Sequence, residues 1–104
     1  MRLLFKMKFP VETVNSLARA GVVGQKVGAI VEATKPERIY FTGNGSGRGA
    51  VAVYDLEDGS QIPAVAEPWM LTLNAQIAYD AAMTPEELGP VLHDHLPQGG
   101  RLRL

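Results

Sequence analysis

The stretch that decides the fold is Phe41–Leu56, "FTGNGSGRGAVAVYDL". Its first half alternates glycine with other residues, and "GSGRGA" from Gly45 to Ala50 formally matches the G-x-G-x-x-A of dinucleotide-binding loops. That loop works only between a strand and a helix, because the free amides of the helix meet the pyrophosphate. Here "AVAVYDL" follows, and alternation with valine and tyrosine is strand chemistry. No lysine followed by serine or threonine is present to make a phosphate loop. Asn44-Gly45 between two alternating runs is instead a hairpin signal, since both residues accept positive φ. The run therefore joins two strands and cradles no nucleotide.

Working outward, residues 2–9, "RLLFKMKF", also alternate. Leu3, Phe5, Met7 and Phe9 fall on one side; Arg2, Leu4, Lys6 and Lys8 fall on the other. Pro10 ends this first strand. Apolar residues then recur at helical spacing: one helix reaches about Ala20, Gly21 breaks it, and a second runs from about Val22 to Ala33. Lys35-Pro36 stops the second helix. "ERIYFT" (37–42) is the next strand, with Ile39 and Phe41 opposed to Arg38, Tyr40 and Thr42. In "AVAVYDL" (50–56), Val51 and Val53 are expected on the apolar side, and Ala50, Ala52 and Tyr54 on the other.

Further along, Ile62, Val65, Ala66, Trp69 and Leu73 form a helical stripe, with Ser60 expected as its N-cap. "AQIAYDA" (75–81) is a fourth strand, Ile77 and Tyr79 opposed to Gln76, Ala78 and Asp80. "TPEE" then reads as a helix start, with Thr84 as N-cap, Pro85 in the first position and Glu87 closing a capping box.

Two crossover connections of right-handed sense give an α+β fold, a ferredoxin-like βαββαβ with a four-stranded antiparallel sheet in the order 4-1-3-2 and the helices on one face. At 104 residues the chain is expected to be a single domain over residues 1–96 with a C-terminal tail over 97–104. A chain of this length buries roughly two thirds of its unfolded surface, so association with a second copy is a ready source of further burial.

Composition narrows the function classes. Ten basic residues against eleven acidic ones argue against a nucleic-acid partner, which favours a basic excess. The absence of cysteine excludes disulfides, thiolate catalysis and cysteine-held zinc. Lys6 and Lys8 interrupt the N-terminal apolar run, so no signal peptide is expected, and no apolar run approaches the ~20 residues that span a bilayer. A cytoplasmic protein with no membrane partner is the expectation. His93-Asp94-His95 is not a metal site on this reading, because side chains two apart on a helix diverge. No metal and no cofactor are expected. The sequence shows no Ser–His–Asp set, paired-carboxylate motif or nucleophile elbow, and no catalytic residue is assigned.

The sheet side opposite the apolar set is the most informative feature. It gathers Lys6, Lys8, Arg38, Tyr40, Tyr54 and three alanines. Three readings stay open: a solvated face of a monomer, a polar lumen between the sheets of two subunits, or a pocket for an anionic small molecule. In the last, Lys6, Lys8 or Arg38 meets the charge and Tyr40 or Tyr54 sets the orientation.

The pattern from Met7 to about Leu88 resembles a group of small bacterial proteins, through the runs "KFPVETVN", "KPERIYFT", "SQIPAVAEPWMLTLNAQI" and "MTPEEL". It is similar to the dimeric α/β-barrel superfamily, which includes antibiotic-biosynthesis monooxygenases, muconolactone isomerases and stress-responsive barrel proteins. The resemblance implies two ferredoxin-like subunits packed sheet to sheet as a homodimer, with a cavity within or beside the barrel. It carries no catalytic residue onto this chain. The expected function is binding of a small organic molecule, anionic or aromatic, in that cavity; an enzyme on an aromatic or polyketide-like substrate falls within this reading. The alternative is a non-catalytic structural or regulatory homodimer.

Overall fold

A computed structural model describes residues 1–44 and 47–95; for residues 44 and 91–95 the backbone alone is described. The elements are β1 (Arg2–Phe9), α1 (Val11–Arg19), α2 (Val23–Thr34), β2 (Arg38–Asn44), β3 (Gly47–Asp55), a 3₁₀ turn (Gly59–Gln61), α3 (Ile62–Leu73), β4 (Gln76–Ala81) and α4 (Pro85–His95). All strand pairs are antiparallel, in the order β2-β3-β1-β4. Counted from the other edge, this is the expected 4-1-3-2. The architecture fits a ferredoxin-like fold in general, but the order of elements is not the plain βαββαβ. The first crossover holds two helices hinged at Gly21, whose φ is +74°, and a fourth helix follows β4.

β2 and β3 form the expected hairpin, with Asn44 opposite Gly47; the turn residues 45 and 46 lie outside the described residues. Gly49 is required by close approach rather than by a turn. A Cβ there would stand 2.3 Å from the main-chain oxygen of Met7.

One sheet face and the three helices α1, α2 and α3 share a single core. β1 contributes Leu3, Phe5, Met7 and Phe9, as its alternation predicts. α3 contributes Val65, Ala66, Trp69 and Leu73. Trp69, Tyr54, Phe5 and Leu73 are the largest fully buried side chains, each stabilising by about 1.5–3 kcal/mol through removal from water.

β3 departs from the expectation. Ala50, Ala52 and Tyr54 face the core, and Val51 and Val53 face away. The reason is volume. Ala52 lies between Ile39 and Phe5, and Ala50 between Phe41 and Met7. Small residues on the central strand leave room for Phe5, Tyr54 and Trp69 above the sheet, where close packing forbids a second row of large side chains.

α3 also starts differently. Its N-cap is Gln61, not Ser60, and makes no side-chain cap bond; Asp58 instead caps the preceding 3₁₀ turn, its side chain accepting from the Ser60 amide and hydroxyl. At α4 the capping box is as expected. Glu87 N–H donates to Thr84 Oγ1 at 3.1 Å and Thr84 N–H donates to Glu87 Oε1 at 3.2 Å. The described part of α4 forms no extended contact with another element, and its charged tie to the sheet is Glu87 to Arg2. The tail expected at 97–104 lies outside the described residues.

Candidate functional site

The second sheet face carries no helical layer among the described residues. The strand register orders its side chains into rows running from β2 through β3 and β1 to β4. One row is Thr42, Gly49, Lys8, Gln76; the next is Tyr40, Val51, Lys6, Ala78; the third is Arg38, Val53, Leu4, Asp80. Its centre is therefore apolar, not alanine-lined as the sequence reading has it. Leu4, Val51 and Val53 are half-buried although no helix among the described residues is stacked on them. Cations ring this centre.

A concavity of about 580 Å³ opens on this face toward the hairpin end, lined by Lys6, Lys8, Thr42, Val51, Gln76 and Ala78 among others. Two of the expected site residues meet here. Lys6 Nζ lies 2.9 Å from Asp80 Oδ2, a diagonal neighbour on β4. Lys8 has no carboxylate partner among the described residues. It stands between Gly49 and Gln76. Arg38 and Tyr40 share the face but stand on its β2 edge, outside the concavity; Tyr40 is 66% exposed.

Tyr54 must be removed from the set. It is 1% exposed and on the opposite side of the sheet. Its hydroxyl accepts from Trp69 Nε1–H at 3.1 Å and meets Thr34 Oγ1 at 2.7 Å. A face assignment one residue out of phase moves every side chain of a strand across the sheet, and that is the error here.

A further polar cluster closes the far corner of the open face. Arg2 donates from Nε to Glu37 Oε2 at 3.0 Å and from Nη1 to Glu87 Oε1 at 2.7 Å. This guanidinium is anchored by two carboxylates, unlike the cations near the concavity. The bond from Arg2 holds the Glu37 carboxyl below its ordinary range. Glu87 is lowered chiefly by the Thr84 main-chain amide, then by the Thr84 side chain.

No group of three metal-ligating side chains comes together among the described residues; the side chains of His93, Asp94 and His95 lie outside them. No described helix is long and apolar enough to cross a membrane. Comparison with protein-family models finds no match to this chain, and comparison with curated proteins finds none.

Proposed function

We propose that two copies of this chain pack their open sheet faces together and hold a small anionic organic molecule between them at Lys8 and Lys6. The observation that carries this reading is the composition of the face. An apolar centre of Leu4, Val51 and Val53 favours coverage, because removing such side chains from water is worth about 25 cal/mol per Å². The surrounding charge opposes coverage by a like face. Lys6, Lys8 and Arg38 stand against the single carboxylate of Asp80 in these three rows, so this part of the face carries an excess of two positive charges in each copy. An anion between the sheets resolves that conflict.

A two-fold axis parallel to the strands, between β3 and β1, suits the row order. It sets Leu4 opposite Val53 of a second copy, Arg38 opposite its Asp80, and Lys8 opposite its Gly49, which carries no side chain. Two sheets packed in this aligned manner lie ~10 Å apart. The arrangement is that of the dimeric α/β barrels which the sequence resembles. The concavity at the lysines favours a binding role over a purely structural dimer.

Calorimetric titration with benzoate, salicylate and 2-naphthoate tests the site. At least one is expected to bind saturably, its neutral amide is not, and Lys8→Met is expected to weaken binding about tenfold or more, in line with the ~1.5–3 kcal/mol of a charged hydrogen bond. No saturable binding by any of the three at millimolar concentration, or equal affinity in Lys8→Met, would overturn it.

A further inference from the structure

On the other side of the sheet, between its β2 edge and the helices, lies a second crevice of about 450 Å³. Phe9, Val14, Val27, Phe41 and Leu73 wall it, and Arg48 stands at its mouth. Phe41 is 54% exposed even though it lies on the core side of its strand. Helices α1 and α2 therefore stop short of covering the sheet edge, and a large aromatic side chain faces open space.

The chemistry of the lining specifies an occupant. No carboxylate among the described residues lines the crevice. Arg48 Nη1 donates to Asn15 Oδ1 at 2.8 Å, a neutral acceptor, and forms no ion pair among the described residues. Its other donors are directed by the same fork geometry that suits a carboxylate. One uncompensated cation at the rim of an apolar slot matches a molecule with one negative charge and an apolar body. Gly24 of α2 borders the slot, and a Cβ there would meet nothing within 4 Å. Bare helix backbone therefore forms this border of the slot, with room for a larger side chain beside it.

We propose that this crevice binds a free medium-chain monocarboxylate, its chain between Phe9, Phe41 and Leu73 and its carboxylate on Arg48. Phe9, Thr42, Arg48 and Gly49 border both this crevice and the concavity at the lysines, but neither Lys6 nor Lys8 lines the crevice, so the response to Lys8→Met separates the two sites.

Trp69 reports on occupancy. It is the only tryptophan, and its ring lies 6.0 Å from that of Phe9 and 6.4 Å from that of Phe41, both walls of the slot. Decanoate, titrated below its micellar concentration, is expected to change Trp69 fluorescence saturably. Arg48→Met is expected to weaken decanoate at least tenfold and to leave decanol unaffected, whereas Arg48→Lys, which keeps the charge and loses the fork, restores only part of the affinity. Gly24→Leu is expected to abolish binding of both while the fold is retained, as circular dichroism will show; Lys8→Met, on the opposite face, is expected to change nothing. An unsaturable fluorescence response, or decanoate affinity equal to that of the native chain in both Arg48→Met and Gly24→Leu, would overturn the proposal.

Discussion

The hydroxyl of Tyr54 sits inside the core and still has every polar obligation met. Thr34 Oγ1 donates to the main-chain oxygen of Ile30 at 2.8 Å, so its lone pairs accept from Tyr54 O–H at 2.7 Å. Tyr54 oxygen in turn accepts from Trp69 Nε1–H at 3.1 Å. The chain of donors runs one way, from α3 through β3 to α2, and couples two helices to the central sheet. Tyr54→Phe removes the link and leaves the buried indole N–H without an acceptor. The expected cost is about 1–3 kcal/mol, read as a lower urea midpoint with unchanged slope; a loss under about 0.5 kcal/mol would mean that the network contributes little. This residue also shows where sequence reasoning stops. Alternation identifies "AVAVYDL" as a strand, but with Ala and Val on opposite faces both sides are apolar. Bulk suggests the valines for the core, and packing selects the alanines. The usable signal was Asp55, which shares the phase of Val51 and Val53 and marks their side as the open one.

Elements with chemical end signals were the most legible. Pro10 and Lys35-Pro36 bound their elements as expected, and Thr84 and Glu87 form the capping box. Ser60 does not cap α3; Asp58, two residues earlier, caps the 3₁₀ turn instead. The same end chemistry yields a pH prediction. Glu37 and Glu87 both titrate lower in the fold than the ordinary 4.5. A depressed carboxylate stabilises fully above its unfolded value, and the contribution is lost as pH falls through the folded value. Acidification below the ordinary glutamate range is therefore expected to loosen the corner where β1, β2 and α4 meet. Arg2→Met separates the two groups by cause. In an NMR titration Glu37 is expected to return toward its ordinary value, while Glu87 keeps most of its depression from the Thr84 amide. Equal recovery of both would contradict that assignment.

At the scale of the whole molecule, one layer of helices covers one side of a four-stranded sheet, and among the described residues the other side carries no such layer. Sheet order, hairpin and the cations of the open face were readable from periodicity and connection rules. The apolar centre was not, because it depends on the phase of β3, and the crevice at Arg48 was not, because it depends on how far α1 and α2 reach across the sheet. The corrected face strengthens the case for a covering partner: Leu4, Val51 and Val53 have more to gain from burial than three alanines would. The central claim is that this face meets a second copy of the chain. Sedimentation equilibrium at micromolar concentration tests it most directly, comparing the native protein with Val53→Glu, which places a charge in the apolar centre without touching the core. A native mass twice that of the chain, falling to the chain mass in Val53→Glu, is the predicted result. A native protein that sediments at the mass of one chain, or a Val53→Glu variant that remains fully dimeric, would contradict it.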